Sequence, residues 1–271
     1  MRYFKSTFFI FLGVYLVIVV YYFVFQKNII FYPTNDYAPP PIGFDIEEVF
    51  IKTQDGEILH GWWMKREGAS KTVLFFHGNA GNLTDRNFRL DIFKRLELNA
   101  LMIDYRGYGK SSGKIKREND LYIDSEAGWY FLTKEKNIIP EDIILWGRSI
   151  GGAIAVYLAQ GKDIHALIIE SSFFSLANIG EKHFPFLPIK QLLKFKFESG
   201  EKIQNVKRPI LFTHSKKDDI IPFSESEMLY KKAQEPKEFL KLEKGDHNTD
   251  LILSYDEYFE GVRDFLSSIE N

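Results

Sequence analysis

The residues best placed to do chemistry are Gly147-Arg148-Ser149-Ile150-Gly151, which close the apolar run Ile143–Trp146 and open a helical pattern over Ile150–Ala159. Strand, tight turn and helix in that order raise a serine hydroxyl over the carboxyl edge of a sheet, where it can attack a carbonyl carbon. The turn holds its serine in a strained backbone conformation, so only small neighbours fit, here Gly147 and Gly151. It also leaves the Ile150 N–H at a helix N-terminus, aimed where negative charge would develop. The chemistry implied is acyl transfer to Ser149.

Such a serine needs a second oxyanion donor, a base and an acid. After the run Thr72–Phe76 comes His77-Gly78-Asn79-Ala80-Gly81-Asn82, where a glycine lets the backbone turn so that the Asn79 N–H faces Ser149 beside Ile150. The run Ile210–Thr213 leads through His214 into Asp218 and Asp219, and the last strand pattern is followed by Gly245-Asp246-His247. Ser149, an aspartate near 218 and His247 therefore follow one another in the order serine, acid, histidine, each in a loop after a strand. His247 would take the serine proton, and the aspartate would fix its tautomer and stabilise the imidazolium. Asp219 and Glu170 compete with Asp218 for the acid. His77 is expected to pack against the oxyanion loop, His214 to be strand-end structure, and Asp246 to be a turn residue.

The elements that must position these groups alternate along the chain. Val49–Thr53 and Ile58–Met64 predict a hairpin across Gln54-Asp55-Gly56. Strands follow at Thr72–Phe76, Ala100–Tyr105, Ile143–Trp146, Ala166–Ile169, Ile210–Thr213 and Phe239–Leu242, with helical patterns at Phe88–Leu96, Leu121–Glu135, Ile150–Ala159, Glu225–Ala233 and Tyr255–Ser268. Continuously apolar strands separated by helices predict an α/β class: a mostly parallel sheet covered by helices on both faces. In such sheets, sites form beyond the carboxyl ends of the strands.

Composition narrows the function. Of 271 residues, 45% are hydrophobic and the formal net charge is -2, which favours a large core and provides no basic footprint for nucleic acid. The absence of cysteine excludes thiol nucleophiles and thiolate metal sites. No motif calls for a metal or a cofactor. Gly109-Lys110-Ser111 resembles the end of a phosphate-binding loop, but Asp104 stands where that signature requires its first glycine. Lys114–Arg117 reads as a solvated basic turn.

The first residues are a separate matter. Thr7–Phe25 contains no charged side chain and would be about 28 Å long as a helix, close to the hydrocarbon thickness. No small-residue cleavage site follows, so an uncleaved anchor is expected over 1–27, then a proline-containing linker over 28–43. Arg2 and Lys5 precede the run, and only Lys27 follows it within twenty residues. That asymmetry predicts a single-pass protein with a cytoplasmic N-terminus and the domain, 44–271, on the opposite side.

Over Phe44–Phe265 the chain resembles the α/β-hydrolase superfamily, and most of all its single-pass, membrane-anchored members. The matching stretches are His77-Gly-Asn-Ala-Gly-Asn82, Asp104-Tyr-Arg-Gly-Tyr-Gly-Lys-Ser111 and Gly147-Arg-Ser-Ile-Gly-Gly152. The superfamily's H-G-x-x-D-x-x-V-P pattern falls on His214 to Pro222, departing at Ser215 and Ile221, and its register selects Asp218 over Asp219. Asp246 stands before His247 where glycine is usual. The resemblance implies an α/β-hydrolase fold with a small cap insertion over about 171–208 and an N-terminal transmembrane helix. It implies Ser149, Asp218 and His247 as catalytic residues and the N–H groups of Asn79 and Ile150 as the oxyanion hole.

The expected activity is hydrolysis of carboxylic esters or thioesters through an acyl-enzyme on Ser149. The cap carries many aromatics, among them Phe173, Phe174, Phe184 and Phe186, expected to contact an apolar, lipid-like acyl substrate. Lys190, Lys194 and Lys196, interleaved with them, suit an anionic membrane surface. Two alternatives stay open: an aminopeptidase-like amidase, for which Glu181, Glu198 or Glu201 would bind the substrate amine, and a catalytically silent membrane-tethered scaffold.

Overall fold

The computed structural model describes residues 2–270; Met1 and Asn271, which end the expected anchor and domain, lie outside the described residues. Eight strands form one sheet: β1 (Ile46–Lys52), β2 (Ile58–Met64), β3 (Thr72–Phe76), β4 (Asn99–Ile103), β5 (Ile143–Arg148), β6 (Ala166–Glu170), β7 (Ile210–Ser215) and β8 (Lys237–Leu242). Their order is β8-β7-β6-β5-β3-β4-β2-β1, and β1–β2 and β2–β4 are the antiparallel pairs. The helices are α1 (Arg2–Ile30), α2 (Asn87–Arg95), α3 (Glu118–Tyr130), α4 (Ile150–Ala159), α5 (Leu176–His183), α6 (Ile189–Leu192), α7 (Ser199–Lys202), α8 (Phe223–Lys232), α9 (Asp250–Leu253) and α10 (Tyr255–Ser268).

Side chains alternate across a strand, so each central strand feeds two cores. Leu74 and Phe76 of β3 join the cluster under α3, α4 and the segment between β6 and β7; Val73 and Phe75 join the cluster under α2 and α10. Both faces are thereby covered, which is why β3, β4 and β6 are buried at every residue and read as unbroken apolar runs. The outer β1 alternates instead, with one face toward solvent. Phe76, Gly147, Ile169 and Phe212 are successive register partners across β3, β5, β6 and β7. The loops after these strands therefore emerge side by side.

Among the boundaries that differ from expectation, two have clear local reasons. The strand expected over Ala100–Tyr105 ends at Ile103, because buried Asp104 turns aside to accept the Leu83 N–H at 3.0 Å. The helix expected from Leu121 starts at Glu118, where the Asp120 carboxylate accepts the N–H groups of Lys116 and Arg117 at 2.8 and 3.0 Å. Those bonds also close the exposed basic turn Lys114–Arg117.

The stretch expected as a linker over 28–43 packs against the domain at several points. α1 continues through Ile30, Phe31 is buried, and Tyr32–Pro33 pairs in parallel with Ala80–Gly81. The buried Asn82 side chain donates to the carbonyls of Thr34 and Asp36 at 3.2 and 2.6 Å. The prolines keep this stretch extended while its carbonyls remain acceptors, and Asn82 uses them.

Candidate active site

The bend after β5 is as strained as its sequence implies. Ser149 has φ 56° and ψ −124°, a region that side chains avoid unless the surroundings impose it. Its N–H donates to the Glu170 carbonyl at 2.8 Å, and its own carbonyl accepts from the Ser172 hydroxyl at 2.8 Å and the Gly152 N–H at 3.0 Å. The flanking glycines leave no choice of residue. A Cβ at Gly147 would stand 2.1 Å from the Gly151 carbonyl oxygen, and one at Gly151 would stand 2.1 Å from that of Phe76.

Glu170, one rival for the acid, is occupied beneath this bend. It is fully buried, accepts from Arg89 Nη1 at 2.7 Å, and is also hydrogen-bonded by Trp146 and Tyr258. Burial pushes its carboxyl up, but the charge and hydrogen bonds of Arg89 outweigh that and hold it below the usual range. It is the buried counter-charge to Arg89.

The loop after β3 is held from behind. Tyr32 N–H and the Tyr108 hydroxyl donate to the Asn79 carbonyl at 2.9 and 2.7 Å, and the Asn79 side chain donates to the Ile30 carbonyl at 2.9 Å. The Asn79 and Ile150 N–H groups donate to no protein acceptor among the described residues. Gly78 brings this loop against the bend: a Cβ there would lie 3.6 Å from the Ser149 Cβ. His77 is buried below, its Nδ1 2.7 Å from the Gly78 carbonyl, and Tyr105 donates to the His77 carbonyl at 2.8 Å. The loop containing Gly109-Lys110-Ser111 thus buttresses this site through Tyr105 and Tyr108. Gly109 is kept small by Asp104, whose Oδ2 would stand 2.2 Å from a Cβ there.

Beyond β7 and β8 the acid and the histidine meet. Asp218 Oδ2 lies 2.6 Å from His247 Nδ1, while Oδ1 accepts the N–H groups of Ile220 and Ile221 at 3.0 and 2.7 Å. Burial raises the Asp218 carboxyl, yet hydrogen bonds from His214 and His247 overcome it and keep the group well below the carboxylate range. An ionised Asp218 can only accept, so His247 carries its proton on Nδ1 and offers Nε2 as the basic nitrogen. Asp219 instead faces the His247 N–H, with Oδ1 at 3.4 Å. His214 is buried at the strand end, with Nε2 3.2 Å from the same Asp218 oxygen.

Two of the three departures from the superfamily pattern, Ser215 and Asp246, make local hydrogen bonds of their own. The Ser215 hydroxyl donates to the Gly245 carbonyl at 2.5 Å, tying β7 to the His247 loop. Asp246 caps its own turn by accepting from the N–H groups of Asn248 and Thr249 at 2.9 and 3.0 Å. Arg148 completes the loop by donating to the His247 carbonyl and pairing with Asp250 at 2.8 Å.

Ser149, Ile150, Asn79 and His247 share the lining of a cavity of about 280 Å³. Ser149 and His247 make no direct hydrogen bond to one another in the described structure, a contact that commonly tightens only around substrate. The cavity is walled mostly by apolar side chains, with Gln26, His183 and Asn248 among them and no carboxylate in its lining. Of the cap aromatics expected there, Phe173 and Phe184 line it. Phe174 and Phe186 are not in its lining. Phe174 packs onto the core over Gly200, where a Cβ would come within 2.1 Å of its ring, and Phe186 is 58% exposed at the cap tip. A second cavity of about 460 Å³ opens on the other side of Ser149 and His247, between Arg86, Phe88, Arg148, Ile252 and Tyr255.

Sequence reasoning missed one wall altogether. Tyr22, Gln26, Ile29 and Ile30 of α1 line the first cavity. Their spacing, i, i+4, i+7 and i+8, marks one helical face, but a run apolar on every side hides which face is used.

Comparison with known proteins agrees with this architecture. The family described as serine aminopeptidase, S33, matches residues 67–199. An uncharacterised protein of Mycobacterium tuberculosis is 34% identical over 252 residues, covering 89% of this chain and 87% of its own length. The α/β hydrolase domain-containing protein 17C of Xenopus tropicalis is 35% identical over 227 residues, covering 82% and 71%. Among solved structures, an esterase of Pyrococcus furiosus superposes with a TM-score of 0.74 at 20% identity, covering 89% of this chain and 98% of that one.

Proposed function

From the premise that this chain belongs to the α/β-hydrolase superfamily, we propose that it is a membrane-anchored serine hydrolase cleaving esters or thioesters of apolar acyl groups. The observation that carries the reading is the pairing of Asp218 with His247 Nδ1 at 2.6 Å, on a histidine that shares a cavity with the strained Ser149. In this mechanism His247 Nε2 removes the hydroxyl proton as Ser149 Oγ bonds to the acyl carbon. Negative charge gathers on the former carbonyl oxygen, where the N–H groups of Asn79 and Ile150 receive it. Collapse expels the leaving group, to which the His247 imidazolium returns the proton. Water then attacks the acyl-enzyme with His247 again as base, releasing acid and free Ser149. Asp218 stays ionised and steadies each imidazolium.

The apolar lining of the first cavity supports an acyl chain on that side. The second cavity, with Arg86 and Arg148 in its wall, suits a more polar leaving group. The amidase alternative is weakened by the cap acids: Glu198 and Glu201 are exposed, Glu181 pairs with Lys190 at 3.1 Å, and none lines the cavity. A silent scaffold has no use for a strained serine beside an ionised Asp–His pair.

The test is labelling of the full chain, in detergent or vesicles, with a fluorophosphonate. A panel of acyl esters and thioesters then follows. Labelling that disappears in Ser149→Ala, together with ester or thioester turnover, is the expected result. No Ser149-dependent labelling would transfer the argument to the scaffold, and faster turnover of amino-terminal amides would transfer it to the amidase.

A further inference from the structure

α1 is long and apolar enough to cross a membrane, and it also docks along the cap. The Tyr15 hydroxyl donates to the Phe186 carbonyl at 3.0 Å, and the Tyr22 and Phe184 rings lie 5.0 Å apart. Gln26, only 6% exposed, donates to the Leu192 carbonyl at 3.2 Å and accepts the Lys194 N–H at 2.6 Å. The Lys194 ammonium lies 3.9 Å from the Phe23 ring centre. Gln26 is a polar side chain at the end of an apolar helix, and it satisfies backbone groups that the short α6 leaves open.

Two consequences follow from where these contacts fall. The first is that α1 supplies part of the cavity wall: Tyr22, Gln26, Ile29 and Ile30 line it together with Phe173, Phe184 and Ser149. The second concerns depth. Contacts run from Ile30 back to Tyr15, about 22 Å along the helix axis. Tyr15 stands in the middle of the uncharged run Thr7–Phe25. A helix that carries that run through about 30 Å of hydrocarbon takes Phe186 below the interface with it. The exposure of the cap tip then has a physical reason. Phe186 is 58% exposed beside Tyr15 at 38%, an apolar surface that water penalises and lipid does not. The nearby charges have ways out of the hydrocarbon: Lys190 is paired with Glu181, and Lys194 rests on an aromatic face from which its ammonium can reach the headgroups.

We propose that the cap tip Phe184-Pro185-Phe186 is immersed in the bilayer beside α1, and that an acyl chain enters laterally, parting the Tyr22–Phe184 ring contact, into a chamber whose outer wall is the membrane helix itself. The chamber's use rests on the acyl-hydrolase reading above; the immersion does not.

The experiment uses the full chain in phosphatidylcholine vesicles. The four native tryptophans, at 62, 63, 129 and 146, are all buried, so the emission added by Phe186→Trp is measured against the wild type. Lipids brominated in mid-chain are expected to quench that added emission, and aqueous iodide is not; the opposite pattern overturns the immersion. In the second arm, Ile29→Trp fills the chamber from the helix side, while Val24→Trp alters an exposed position outside the lining. Ile29→Trp is expected to lower the ratio of octanoyl to acetyl kcat/KM by about ten-fold or more, the loss of roughly two buried methylenes, with the ratio for Val24→Trp at the wild-type value. An unchanged ratio for Ile29→Trp, in protein whose Ser149 still labels with fluorophosphonate, overturns the chamber alone. Wild-type protein that does not label overturns the serine-hydrolase reading and the chamber's use with it, while the bromine arm still decides the immersion.

Discussion

Asp218 Oδ2 sits 2.6 Å from His247 Nδ1, although the two residues lie 29 positions apart and arrive from different strands. The Asp218 side chain is fully buried and its other oxygen is spent on two backbone N–H groups, so it has no freedom to leave the imidazole. If the pair serves Ser149, the three act as a unit. Ser149→Ala and His247→Ala are each expected to lower kcat by on the order of 10⁴ or more, with unchanged circular dichroism and melting. Larger losses for His77→Ala than for His247→Ala would show that another histidine is the base.

Asp219 offers a control for the acid, being adjacent yet bonded only to the His247 N–H. Asp218→Asn is expected to reduce kcat/KM by orders of magnitude, because an amide at that position favours the wrong imidazole tautomer. Asp219→Asn should cost far less. Equal losses in steady-state assays would reject the assignment.

What the sequence made legible follows from period and punctuation. Unbroken apolar runs identified β3, β5 and β6 because both faces of those strands are buried, and Gly147 and Gly151 marked a bend whose surroundings admit no Cβ. The motif order placed Asp218 and His247 in adjacent loops. Less legible was anything requiring knowledge of which face meets which partner. Phe174 and Phe186 differ from Phe173 and Phe184 only in direction, and direction comes from packing. The clasp of Asn82 on Thr34 and Asp36 joins segments 48 and 46 residues apart, and the Gln26 contacts of α1 reach 166 and 168 residues along the chain, through groups whose neighbours in sequence give no hint of the partner.

The bend itself is open to a stability test. A Cβ at Gly151 would meet the Phe76 carbonyl oxygen at 2.1 Å, backbone against backbone, where no rotamer change gives relief. Gly151→Ala is expected to cost about 3 kcal/mol or more, or to prevent folding. Gly161→Ala, at a site with open space around it but φ +68°, should cost only about 1 kcal/mol. Chemical denaturation in detergent compares the two, and a smaller loss at Gly151 would contradict the geometry.

The first cavity sets an expectation for chain length. Each methylene buried against its apolar wall contributes about 0.8 kcal/mol, so two to four further acyl carbons should raise kcat/KM by roughly tens of fold or more until the space is filled. Acetyl esters turned over as well as octanoyl esters would mean that the cavity does not hold the acyl chain.

The last prediction concerns acid. Glu170 is buried against Arg89, and although burial alone would raise its carboxyl, the Arg89 charge and hydrogen bonds hold it below the ordinary glutamate range. A carboxyl depressed by folding stabilises the protein above its unfolded value, about 4.3, and that contribution is lost as pH falls through the folded value. Melting temperature should therefore decline on the acid side of about pH 4. Glu170→Gln keeps the shape but leaves Arg89 buried without a counter-charge, which at neutral pH should cost about 3–5 kcal/mol. The gap between variant and wild type should then narrow as pH falls, since the wild-type carboxylate is itself being protonated. Melting curves from pH 7 to pH 3 measure that gap directly. A gap of constant size would mean that Glu170 is not held ionised beneath Ser149, and that the floor under the bend is built from packing rather than charge.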